Sequence, residues 1–138
     1  MERSDKTLEQ LEGEFFAPPE YKSSLVLNVH RLRRIPLNEF TVEDLRLMIG
    51  QELSLEYLVP LAIENLKEDP FVAGDYYRGD LLKNVLGVRS GFWEEVPELR
   101  REMEAIAKKA ALELRSLQVI DDIEKDLSER LAAFYGET

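Results

Sequence analysis

Thr41 to Leu66 reads TVEDLRLMIGQELSLEYLVPLAIENL, and this stretch decides the fold. Thr41 has the character of a helix N-cap. Its hydroxyl is placed to accept from the backbone N–H of Asp44, and Asp44 to reach back, as in a capping box. Phe40 before the cap and Leu45 after it are spaced as a hydrophobic staple. Val42, Leu45, Met48 and Ile49 share one helical face, and Gly50 stands where a left-handed residue would stop the helix. Leu58, Val59, Leu61, Ala62, Ile63 and Leu66 then make a run that is apolar nearly all round, the pattern of a buried helix. Pro60 falls inside that run. Because proline lacks an N–H and crowds the preceding turn, the expectation is a break, with Pro60 as the first residue of a new helix.

Working outward, Leu25 to Arg34 fits either an alternating strand or a helix begun at Ser24 with Leu25, Val29 and Leu32 on one side. A helix is expected, because Arg31, Arg33 and Arg34 would complement the dipole of its last turn and Pro36 lies beyond as a stop. Upstream, residues 4–13 suit a short helix capped by Ser4 and ended by Gly13. The segment Phe15, Phe16, Pro18, Pro19, Tyr21 cannot be regular helix. Its aromatics are expected to pin an N-terminal arm to the body, a partner-binding arm being the sharper alternative.

Downstream, Asp69-Pro70 ends the buried helix and Phe71 to Arg78 is a loop with Gly74 and two tyrosines. Asp80 is placed to cap a helix over Leu81 to Leu86, closed by Gly87. Ser90 to Pro97 reads as a turn, with Pro97 opening a long helix. There Leu99, Met103, Ile106, Ala110, Leu114 and Leu117 form a core stripe. Asp121 with Glu124 marks another start, followed by the stripe Ile123, Leu127, Leu131 and Phe134. The expected fold is all-α: one domain over 1–138, a bundle of six to seven helices. It divides into an arm (1–20), a central body (25–95) and an antiparallel C-terminal helical pair (97–135).

Chemistry is sparse in the 138 residues. There is no cysteine, so no disulfide and no thiolate metal site. The single histidine has no partner at ligand spacing, no calcium loop exists, and no P-loop or dinucleotide fingerprint is present. Asp121, Asp122 and Asp126 depart by one position from the aspartate-rich motif of helical terpene synthases, and they suit a helix N-terminus instead. His30, in H-R-L-R, resembles the site of a histidine phosphotransfer domain. Against it, Arg34 replaces the small residue that opens access to the imidazole, and Pro36 ends the helix too early. Neither catalytic residues nor a cofactor are expected.

The net charge is −10, distributed as −4 over residues 1–20, +2 over 21–50, −5 over 51–95 and −3 over 96–138. Such a balance disfavours nucleic acid and favours a basic protein partner, or serves solubility alone. No apolar run reaches the roughly 18 residues of a membrane span, and the charged N-terminus lacks a signal-peptide core. A cytoplasmic location is expected.

The order T-V-E-D-L-R-x-M-I-G-Q at Thr41 to Gln51, Y-L-V-P-L-A at Tyr57 to Ala62, G-D-Y-Y-x-G-D-L-L at Gly74 to Leu82 and the pair Phe92-Trp93 resembles the bacterial contact-dependent growth inhibition immunity proteins. Within them it is similar to the helical group with a TVEDLR-x-x-IGQ segment and a downstream GDL. The resemblance spans roughly residues 25 to 95. It implies a protein that binds and neutralises the toxin domain of a contact-delivered effector and catalyses nothing; the chain is expected to be a monomer on its own. A basic nuclease would suit the charge. The competing class is a helical adaptor with another protein partner. Candidate toxin-binding residues are Asp75, Tyr76, Tyr77, Trp93, Glu94 and Glu95, which combine aromatic anchors with negative charge on two segments. The alternative for the tyrosines, and above all for Trp93, is a place in the core.

Overall fold

The computed structural model describes residues 5–20, 23–116 and 121–136. Among these residues the chain forms eight α-helices and no strand: α1 (Leu8–Glu12), α2 (Ser24–Leu32), α3 (Val42–Gly50), α4 (Leu55–Glu68), α5 (Asp80–Leu86), α6 (Ser90–Glu95), α7 (Pro97–Arg115) and α8 (Asp122–Gly136). Six have seven or more residues, and together they make a single all-α domain.

Local sequence signals set most of the boundaries. Thr41 accepts from Asp44 N at 3.1 Å while its own N–H donates to Asp44 Oδ2 at 3.0 Å, the reciprocal box that starts α3. Asp121 and Glu124 do the same at α8, at 3.0 and 2.7 Å. α1 has a box as well, but on Thr7 and Gln10; the cap expected at Ser4 lies outside the described residues. Gly13, at φ 69°, ends α1 as expected. α2 is a helix rather than a strand, capped by Ser23 one residue earlier than the spacing suggested. Pro97 opens α7.

Three expectations are corrected. α4 runs unbroken through Pro60. The missing N–H falls in the second turn, where the bond to the Glu56 carbonyl is forgone; Glu56 is exposed and Pro60 half-buried. Gly50 is not the left-handed stop: it lies within α3, and a Cβ there would sit 2.7 Å from Asn84 Nδ2. Its small size lets α5 approach α3, and Asn84 uses the approach to donate to the Arg46 carbonyl at 2.8 Å. The left-handed positions fall later, on Glu52 and Ser54. The span Ser90–Glu95 is a short helix, not a turn.

α4 is the central post. Leu55, Leu58, Val59, Ala62, Ile63 and Leu66 are buried, and the helix packs on α3, α5 and α7. α7 and α8 run antiparallel. Arg100 near the start of α7 lies over Phe134 near the end of α8, while Leu114 shares a cleft with Ile123 and Leu127. The α7 stripe is buried at Met103, Ile106, Ala110 and Leu114 and half-buried at Leu99; Leu117 lies outside the described residues. In α8, Leu127, Leu131 and Phe134 are buried whereas Ile123 is 39% exposed.

Trp93 anchors the far end of this core. It is 1% exposed, in edge-to-face contact with Phe92 at 5.3 Å and Phe134 at 5.7 Å, and its indole N–H has no acceptor. Removing the ring opens a large cavity, whereas phenylalanine keeps the packing plane and removes the unpaired donor. Trp93→Ala is therefore expected to cost ~3–5 kcal/mol and Trp93→Phe less than ~1.5 kcal/mol in urea unfolding.

Candidate functional site

The loop between α4 and α5 is built around a buried carboxylate. Asp80 is 3% exposed. A carboxylate so placed must collect donors to replace water. Asp80 Oδ1 accepts from Gly74 N at 2.6 Å, and Oδ2 from Tyr76 N at 3.0 Å and Tyr77 N at 3.3 Å. Asp80 was expected to cap α5; it is instead the first residue of that helix, with Gly79 before it at φ 93°. The reversal at Gly79 turns the side chain back under the loop. A Cβ on Gly79 would also lie 2.7 Å from Leu127 Cδ1, so α8 leaves room for glycine alone.

A second carboxylate clamps the loop from α3. Glu43 Oε1 accepts from Asp75 N at 2.8 Å. The same Glu43 takes Arg46 in a two-pronged pair, Nε to Oε1 at 2.7 Å and Nη2 to Oε2 at 2.6 Å. The Arg46 guanidinium lies over the Tyr76 ring, 4.2 Å from its centre. Gly74 fits between the clamps: a Cβ would meet Glu43 Oε1 at 2.6 Å and Asp80 Oδ2 at 3.1 Å. The base is closed by a bridge between Ala73 and Arg78 and by Gly79 N donating to Phe71 O at 3.0 Å. The E-D-L-R segment and the G-D-Y-Y-x-G-D segment are thus two halves of one assembly.

The electrostatics follow from the pairing. The Arg46 hydrogen bonds hold the Glu43 carboxyl below the usual glutamate range, opposed by burial and aided by the Asp75 amide and the Arg46 charge. Glu43 in turn raises the Arg46 guanidinium further, and burial works the other way. The Arg46 charge is therefore paired where it stands, and the loop exposes one acid, Asp75, and one base, Arg78.

The six candidate residues are distributed unequally. Tyr76 is 70% exposed, and Asp75 is exposed beside it. Tyr77 is half-buried and lines a cleft of about 450 Å³ with Phe71, Leu114 and Leu127. Glu94 and Glu95 are exposed on α6, but Trp93 between α6 and α8 is a core residue, the alternative set out for it above. The two segments are held by one helix at different levels: Leu127 of α8 meets Gly79, and Phe134, seven residues on, meets Trp93. That spacing is about 10 Å along the axis. Glu43, Arg46 and Asp80 were absent from the candidates. The spacing E-x-x-R was a visible sign of an ion pair, but nothing local indicated that it would reach a loop 32 residues away.

Elsewhere the arm corrects its expectation. Phe15 is 69% exposed and does not pin the arm, and Tyr21 lies outside the described residues. Phe16, 57% exposed, is held through Arg33, which lies over its ring at 5.0 Å, pairs with Glu12 and donates to Glu14 O at 3.0 Å. His30 is half-buried in a groove of about 430 Å³ behind the arm, with Met48 and Leu53, and α2 stops two residues later. Among the described residues no three acidic or histidine side chains are grouped to hold a metal. No described helix is long and apolar enough to cross a membrane.

Removing Asp80 leaves three amides without their acceptor. Asp80→Ala is expected to cost about 2–4 kcal/mol and to speed hydrogen exchange at Gly74, Tyr76 and Tyr77, as read by denaturation and NMR exchange. Glu43 provides a pH test. Its lowered value means its contribution is complete above the ordinary range, near 4.3, and is lost as pH falls through the depressed value. Glu43→Gln is expected to flatten that acid limb of the stability profile, with the limb measured by thermal melts between about pH 2 and 6.

No curated protein matches the chain. A family match does, over residues 10–103, and it contains every residue of the loop assembly described above. It begins some 15 residues before the stretch that carried the resemblance and ends about eight after it. The match covers more than half of the chain, and the protein belongs to the family of CDI immunity proteins.

Proposed function

We propose that this protein binds the toxin domain of a contact-delivered effector and neutralises it by covering its active site or substrate surface. The observation that carries the reading is membership of the CDI immunity family, whose matched span includes the exposed loop. Binding, not catalysis, is the mode of action: Glu43, Arg46 and Asp80, the charged groups at the heart of the loop assembly, are engaged with one another and with the loop backbone. The protein acts in the cytoplasm as a monomer, where an incoming toxin domain would meet it.

The docking surface is assigned to Asp75, Tyr76 and Tyr77 with Glu94 and Glu95 at its margin. Trp93 supports it from inside rather than touching the toxin. A net charge of −10 suits a toxin with a basic groove, as a nuclease has. The loop is fixed before binding, so docking needs little change of shape.

Two results are expected. Co-expression with the toxin domain encoded beside this chain restores growth and yields a complex that co-purifies; no protection and no complex would overturn the immunity reading. Replacing Asp75 and Glu94 together by lysine slows association about tenfold at low salt, and less at high salt, in stopped-flow or surface-binding kinetics. Association rates unchanged at low ionic strength would remove these segments as the steering surface.

A further inference from the structure

An aromatic ring that is 70% exposed is usually free to move, but Tyr76 is held at both its backbone and its ring. Its amide is tied to Asp80, the preceding amide to Glu43, and one ring face rests on Arg46 at 4.2 Å. Holding an exposed tyrosine in place has no evident benefit for the core, because the ring buries little. It does lower the entropy lost when something docks on the ring.

The chemistry of the free side selects what docks. The face of an aromatic ring is the negative end of its quadrupole. Glu43, bonded twice to Arg46, offsets part of the positive charge beneath the ring. Asp75, next in the chain, is exposed beside the ring, and Arg78, the exposed cation of the same loop, is drawn toward Asp69 at 3.6 Å. An anion is repelled there. An apolar group gains area alone, while a cation gains from the ring and from the Asp75 carboxylate together.

We infer that the open face of Tyr76, flanked by Asp75, receives an arginine or lysine side chain of the toxin domain. Glu43, Arg46 and Asp80 are the positioning residues that hold the ring for it. The inference rests on the immunity reading and gives that interface a specific anchor. It also assigns the E-D-L-R segment a part in recognition that its capping role does not need, since Thr41 and Asp44 complete the cap without Glu43 or Arg46.

The test is affinity for the cognate toxin domain, measured by calorimetry on the full chain with thermal melts as the folding control. Tyr76 is exposed, so its variants keep the fold. Tyr76→Leu, which keeps apolar area but loses the ring, is expected to weaken binding about tenfold, and Tyr76→Phe less than about threefold. Phenylalanine at position 76 bearing one, two or three ring fluorines is expected to weaken binding in step with fluorination, the signature of a cation on the face. Arg46→Met is expected to weaken binding in the native background and to add nothing in the Tyr76→Leu background. A purely structural role for Arg46 would lower affinity in both. Leucine binding as well as tyrosine, or indifference to fluorination, overturns the proposal while immunity stands. If the native chain itself fails to bind the toxin domain, the immunity reading falls and this inference falls with it.

Discussion

The burial of Asp80 is the constraint on which the α4–α5 loop and its clamp depend. A carboxylate at 3% exposure is tolerable only if the backbone supplies what water would have supplied. The chain meets that demand by bending residues 74–77 around the side chain until three amides converge on it. Once bent, the loop exposes the Asp75 amide toward α3, where Glu43 accepts it, and Glu43 thereby fixes Arg46. The order of dependence runs from a buried charge to a loop shape, from the shape to an inter-helix clamp, and from the clamp to the pose of Tyr76. The close packing of α3 on α5 is part of the same arrangement, since Gly50 and the Asn84 bond to the Arg46 carbonyl bring the two helices within reach.

Much of the fold was legible because its signals are local. Capping boxes are four-residue patterns, and those at Thr41 and Asp121 form as written. Stripes of period 3.6 placed α3, α7 and α8 correctly. The errors share a cause: each residue had a good local explanation, and a distant contact set its role. Gly50 looked like a stop and is small for the sake of Asn84. Asp80 looked like a cap and serves a loop six residues back. Pro60 looked like a break, but the apolar residues around it, buried against three helices, outweigh one forgone hydrogen bond. The aromatics at 15 and 16 looked like anchors, but Phe15 is exposed and Phe16 is held by an arginine 17 residues further on.

The candidate site was legible in part for the same reason. Exposed tyrosines and acids on a loop between helices are readable from composition and turn residues, and Asp75 and Tyr76 are where that reasoning put them. Trp93 illustrates the opposite case, for residue type alone cannot separate an interface tryptophan from a core one. The contact with Phe134 decides it, and that residue lies about 40 positions downstream. The clamp residues Glu43 and Arg46 were invisible as functional residues because an i, i+3 ion pair on a helix is ordinary. Their distinction is the loop amide and the ring they hold, and neither is a sequence-local property.

The family match ends at residue 103, yet the core it enters does not. Leu127 closes over Gly79 and Phe71, and Phe134 packs edge-on against Trp93. Both partners in α8 lie beyond the matched span, while the residues they cover lie within it. Without α8, Trp93 and Gly79 at the base of the loop would face water on one side. The C-terminal helix is therefore more than an appendage to the recognised region: Leu127 and Phe134 complete a core whose other half lies within it.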